Sequence, residues 1–152
     1  VAPLWGAEST LGTNPLAVGF PAGKQPPIVI DMATSTVSVG KIEIARRKGE
    51  ALPAGCIIDS EGLASNRPED YFEGGSVLPL GGDREHGGHK GYCLASLVDL
   101  FAGVLSGANW GPFVPPFISA CESPPPVGKG VGHCFAAMKI GMTRYAVMSD
   151  ES

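Results

Sequence analysis

The sequence predicts a single domain that mixes short strands with helices and does not have the Rossmann dinucleotide fold. Three observations carry this. Ile28, Val29 and Ile30 form an unbroken β-branched run, as in a buried strand. Leu94, Leu97, Val98, Phe101 and Leu105 fall on one helical stripe. No G-x-G-x-x-G fingerprint occurs, and "GKGVG" at 128–132 has the wrong spacing and follows a proline run rather than a strand. A length of 152 residues fits one domain with a real core.

In chain order, "NPLAVGF" at 14–20 is a short strand candidate, and "FPAGKQPP" is a loop. "PIVIDMATSTVSVGK" opens with the β-branched run, which Asp31 ends. "GKIEIARRKGE" predicts a helix stopped by Gly49. "GCIIDSEGLAS" predicts a strand and then a turn from Asp59 to Gly62. "NRPEDYFEGG" predicts a short helix with Asn66 as its cap, Pro68 in its first turn and Gly74 at its end. The striped helix follows, with Gly107 just past its end and Asp99 beside the stripe, either exposed or a paired acid at the edge of the core. "NWGPFVPPFISACESPPPVGKGVG" is an irregular, proline-rich surface segment, "GHCFAAMKI" is the last strand candidate, and 146–152 is a frayed, disordered tail.

Composition removes several functional classes. Hydrophobic residues make up 43%, which argues against disorder throughout. A net charge of −4 gives no electrostatic reason to expect nucleic acid. The run "ARRK" at 45–48 is better read as the exposed face of a helix than as a binding patch. No stretch of eighteen apolar residues exists, so no membrane span is expected. The first residues, "VAPLWGAEST", lack the basic start and apolar core of a signal peptide. There is no initiator Met, so the chain is either processed or a piece of something longer. Cys56, Cys93, Cys121 and Cys134 form no C-x-x-C pair; the simplest expectation is a reduced, cytoplasmic chain whose cysteines act as small apolar residues. The 22 glycines and 14 prolines follow no repeat period and point to many tight connections.

Three chemistries compete for the stretch "GGDREHGGHKGYCLASLVDLFAGVLSGA" at 81–108. His86 and His89 lie three apart, but H-E-x-x-H and paired cysteines are missing, so no metal is expected. No G-x-S-x-G elbow supports a nucleophilic hydrolase. Phosphate binding needs close backbone approach, small side chains and a cation. "DMATST" and "GGHKG" supply these, with Lys90 near a helix N-terminus that favours an anion. From the residues alone, a cradle and an ordinary glycine-rich turn both remain open.

The motifs "LGTNPLAVGFPA", "PIVIDMATSTVSVGKI", "GGSVLPLGG" and "GGHKGYCLASLVDLFAGVLSGA", in that order, closely resemble the malate/L-lactate dehydrogenase family, the 2-oxo-acid reductases that include sulfolactate and ureidoglycolate dehydrogenases. The resemblance runs from about residue 3 to about residue 140. It implies an α+β domain with a mixed, largely antiparallel sheet, and a cofactor-binding core over 1–145. It implies NAD or NADP as cofactor, held by Asp31, Met32, Ala33, Thr34 and Ser35 and by His89 and Lys90, with Gly88 and Gly91 allowing close approach. Thr13 and Asn14 of "G-T-N-P" belong near the site, in a binding or a structural role.

The resemblance also implies a small 2-oxo or 2-hydroxy acid substrate, such as malate or lactate, and a homodimer. Family members are about twice this length. Their catalytic His, which donates a proton to the substrate carbonyl, and their carboxylate-binding Arg lie in a helical region that no part of this chain matches, so its catalytic residues are unknown. Cys93 stands where the family often has Gly, and Lys139 where an acid is usual. His86 and His133 match no catalytic position. The leading expectation is the core of an NAD(P)-dependent oxidoreductase, inactive as an isolated chain. The alternative is a truncated nucleotide-binding or interaction module without turnover.

Overall fold

The computed structural model describes residues 1–115 and 125–139. Its elements are helices and small antiparallel sheets, an α+β arrangement. Strands β1 (Leu16–Ala22) and β2 (Gln25–Met32) form a hairpin, with Leu16 opposite Met32 and a register shift between Phe20 and Ala22. The expected loop over "FPAGKQPP" contracts to the two residues Gly23 and Lys24. Gly23, at φ 64°, takes the left-handed conformation that such a tight reversal requires.

Helix α1 (Val39–Lys48) follows. Its last turn carries Arg46, Arg47 and Lys48, which suit the negative end of the helix, and Gly49 closes it at φ 66° with its N–H on the carbonyls of Ala45 and Arg46. The basic run is exposed, as expected, and Glu43 pairs with both arginines at 2.8 Å. Those hydrogen bonds, the one from Arg47 first, hold the Glu43 carboxyl below its ordinary value.

A three-stranded antiparallel sheet in the order β4–β3–β5 follows, from β3 (Ile57–Ile58), β4 (Ala64–Ser65) and β5 (Ser76–Val77). The 59–62 turn is built by Asp59, whose Oδ1 accepts the N–H groups of Glu61 and Leu63, each at 2.9 Å. Helix α2 (Pro68–Phe72) starts one residue later than its cap was expected: Arg67, not Asn66, holds the cap position, because Pro68 pre-sets the first helical φ. The core lies where α1 covers this sheet. Ile42, Ala45, Leu52, Cys56, Ile57 and Val77 pack there with Val1. Burial pushes the Cys56 thiol up, while Cys93 and Cys134 are exposed, contrary to the expectation that the cysteines serve as apolar packing. Cys121 lies outside the described residues.

Helix α3 (Gly88–Asp99) continues into a π-helical turn, Leu100–Val104. Leu105 N–H reaches Leu100 O at 2.9 Å, and Ala108 N–H reaches Gly103 O at 3.0 Å, both five residues back. Two features favour the wide turn. Ser106 Oγ donates to the carbonyls of Ala102 and Gly103. Gly132 also lies so close to the Ala102 carbonyl that a Cβ there would collide with it. The wide turn interrupts the 3.6-residue period after Asp99, and the stripe is exposed on both sides of that point. Leu97, Phe101 and Leu105, expected in the core, are 48%, 50% and 73% exposed.

Two further expectations change. The run Ile28, Val29 and Ile30 is a strand but is not buried, at 60%, 65% and 47% exposed; β2 is exposed along its whole length, while Leu16, Val18 and Ala22 of β1 are half-buried. Residues 132–139 are exposed or half-buried and form no strand; Ile140 and the 146–152 tail lie outside the described residues. A 3₁₀ turn, Gly111–Phe113, begins the proline-rich segment, which is described only on either side of 116–124.

Candidate functional site

The 31–36 segment leaves β2 and turns inward. Asp31 and Met32 are exposed, Ala33 is half-buried, and Thr34 and Ser35 are buried. The Thr34 hydroxyl donates to Thr13 O at 3.2 Å and Asn14 O at 2.9 Å, while Ser35 Oγ donates to Val37 O at 3.1 Å. Thr36 Oγ1 bonds the carbonyls of Cys56 and Leu78, tying the segment to the small sheet. Only the first three candidates of this motif therefore present a surface to a ligand.

Lys90 and His89 are exposed in the first turn of α3. The reason glycines surround them is internal. A Cβ on Gly88 would collide with the carbonyl of Gly82, and one on Gly91 with the carbonyl of Leu80. The close approach these glycines allow is thus of helix to chain, not of ligand to chain. Two first-turn amides are also engaged by the chain, Gly88 N–H on Asp83 O at 2.7 Å and Lys90 N–H on Gly87 O at 2.9 Å. What this turn offers an anion is the Lys90 ammonium, with the helix dipole behind it. Lys90 takes part in none of the ion pairs among the described residues.

The preceding loop is ordered by Asp83, whose Oδ1 accepts the backbone N–H of His86 at 2.9 Å and contacts its Nδ1 at 2.7 Å. These bonds hold the Asp83 carboxyl below its usual value. Arg84 lies over the Trp5 ring at 5.2 Å. Among the described residues no group of three or more His, Cys, Asp or Glu side chains could hold a metal ion.

Asn14 joins the parts. At φ 37° it is one of two described non-glycine residues with positive φ, and its Nδ2 donates to Ala95 O in α3 at 2.9 Å. Thr13 supplies only its carbonyl, to the Thr34 N–H at 2.9 Å and to the Thr34 hydroxyl. The structure thus links Thr13, Asn14, Thr34 and α3 directly, while no hydrogen bond or ion pair among the described residues joins Asp31 to Lys90.

Several residues that sequence patterns did not single out complete the region. Thr10 Oγ1 and Tyr92 Oη meet at 2.9 Å on the wall of a cavity of about 510 Å³, which Ser96, Asp99, Leu100 and Trp110 also line. Asp99 proves to be a paired acid: both its oxygens accept the Gly111 N–H, at 3.1 and 2.9 Å. Burial raises its carboxyl above the ordinary value, against the bonds from Gly111 and Asn14. The Asn109 side chain ties down the 127–130 glycine loop, accepting from Val127 and Gly128 and donating to Gly130. The "GKGVG" run is therefore a packing loop, with Gly128 against the Ala108 carbonyl. Asp99 beside an apolar stripe was a visible signal; the Thr10–Tyr92 pairing, 82 residues apart, had none.

Several solved structures that this chain resembles are dehydrogenases. It superposes on malate dehydrogenase from Pyrococcus horikoshii OT3 with a TM-score of 0.61 and 41% identity, covering 75% of this chain and 29% of that one. On a dehydrogenase from Sinorhizobium meliloti the TM-score is 0.69 at 34% identity, covering 84% of this chain and 34% of that one. The profile of the malate/L-lactate dehydrogenase family matches residues 1–150, and the chain belongs to that family. Malate dehydrogenase of Pyrococcus abyssi is 51% identical over 115 residues, 75% of this chain and 32% of the relative. L-sulfolactate dehydrogenase of Methanothermobacter thermautotrophicus is 42% identical over 111 residues, 73% of this chain and 30% of the relative. The chain spans about a third of the length of the curated relatives it matches.

Proposed function

We propose that residues 1–145 form the cofactor-facing core of an NAD- or NADP-dependent dehydrogenase acting on a small 2-hydroxy or 2-oxo acid such as malate or lactate, on a scaffold other than the Rossmann fold. The observation that carries this is the exposed Lys90 ammonium at the N-terminal turn of α3, in no ion pair among the described residues, with the 31–35 motif bonded back onto the same helix through Asn14. Lys90 would hold cofactor phosphate or ribose oxygens, with His89 beside it, and Asp31, Met32 and Ala33 would form the facing surface. Bound there, the nicotinamide supplies the hydride chemistry, and the chain supplies position and charge. The exposed apolar residues of β2 and α3 are surface that a homodimer would cover.

A second reading, a nucleotide-binding module without turnover, is favoured by the histidines. His86 is engaged by Asp83 on an exposed loop, and His133 is exposed beside Phe135, so neither sits in a pocket as a proton donor.

Fluorescence titration with NADH and NADPH tests the site. Hydrogen bonds to charged groups contribute about 1.5–3 kcal/mol, so Lys90→Met is expected to weaken binding at least about tenfold with an unchanged melting temperature. Equal affinity in the variant would return Lys90 to an ordinary surface lysine. Adding oxaloacetate or pyruvate separates the two readings: loss of NADH means turnover, and a stable complex means a binding module.

A further inference from the structure

We infer that Thr34 and Asn14 are positioning residues that fix the 31–35 segment and the first turns of α3 relative to each other, without either side chain touching a ligand. This rests on the cofactor reading above for its ligand and on the structure alone for its mechanics. Thr34 has no exposed surface. Every polar group it has is directed at the chain. Its N–H and hydroxyl reach Thr13 O, the hydroxyl also reaches Asn14 O, and its carbonyl accepts the Leu80 N–H at 2.9 Å.

From Thr34 two routes lead to α3. One passes through Asn14, whose Nδ2 bonds Ala95 O at 2.9 Å. The other passes through Leu80, whose carbonyl lies hard against Gly91, one residue after Lys90. Residues 31–33 are thereby tied to the helix that carries Lys90.

The backbone shows why Asn stands at 14. A positive φ just before proline is an uncommon state, since Pro15 disfavours the helical regions for its predecessor. Asn tolerates positive φ better than most residues, and its amide supplies the donor to Ala95. Local strain of this kind persists only when surrounding bonds over-determine it, and here the Thr34 and Ala95 bonds do so.

Thr34→Val keeps the shape and removes the hydroxyl; Thr34→Ser keeps the hydroxyl. NADH titration and amide hydrogen exchange on the 152-residue chain and its variants form the test. The expected result for Thr34→Val is dinucleotide binding weaker by about tenfold or more and faster exchange at the Leu80 and Lys90 amides, with Thr34→Ser close to wild type in both. Combining Thr34→Val with Lys90→Met should weaken binding by less than the product of the single effects, because both act on one contact.

Unchanged exchange at Leu80 and Lys90 in Thr34→Val, or failure of Thr34→Ser to restore it, overturns the inference. Were Thr34→Val to unfold, Asn14→Gly, which keeps the positive φ but lacks the donor, decides by the same two readouts. Were the unaltered chain to bind no dinucleotide, the cofactor reading fails, and the exchange measurements still decide the positioning role.

Discussion

Two isoleucine-rich stretches of this chain, 28–30 and 57–58, share their residue type and their strand conformation but not their surroundings. Ile57 and Ile58 sit in the middle strand of three and are buried, Ile57 under α1 and Ile58 against Ala2 and Leu78. Ile28, Val29 and Ile30 sit in a two-stranded hairpin and are exposed on both faces. β-branched side chains favour the extended backbone in either place. Burial needs a further layer, which α1 supplies to Ile57 through Ile42 and Ala45 and which Ala2 and Leu78 supply to Ile58, whereas every residue of β2 stays exposed.

The largest expected effect tests that contrast directly. Ile57→Ala should lower unfolding free energy by about 2–5 kcal/mol through lost burial and the cavity left behind. Val29→Ala should change it by no more than about 0.5 kcal/mol. Urea unfolding of both variants reads the difference, and similar losses would mean that the hairpin is covered in solution.

A smaller effect than that of Ile57→Ala is expected on α3. Phe101→Ala should cost no more than about 1 kcal/mol, since half the ring is already exposed. It should also reduce self-association, because it removes part of an apolar surface shared with Leu97, Leu100 and Leu105. Sedimentation velocity beside thermal melting separates these outcomes. A loss like that of Ile57→Ala would show the stripe packed as core.

Local signals were legible wherever the physics was local. Helix α1 ends at Gly49 because only a residue free to adopt positive φ closes it so tightly, and a neighbour-by-neighbour reading finds that. The 59–62 turn was visible because Asp59 builds it from its own side chain. The family motifs, confirmed by the match over 1–150, were likewise written in contiguous residues. What the sequence did not disclose depends on distant chain. Thr34 looked like a ligand-facing hydroxyl, yet Thr13 and Asn14, about twenty residues earlier, draw it inside. Gly88 and Gly91 looked like room for a ligand, yet the carbonyls of Gly82 and Leu80 occupy that room. The stripe on α3 looked buried, yet Leu97 in the regular helix and Phe101 and Leu105 at the wide turn all keep about half or more of their surface exposed. Residue type and near-neighbour spacing determined where this chain bends, extends and coils. Which of those surfaces meets solvent, ligand or core was decided by contacts between residues far apart in sequence, because burial is a property of what packs on a segment rather than of the segment itself.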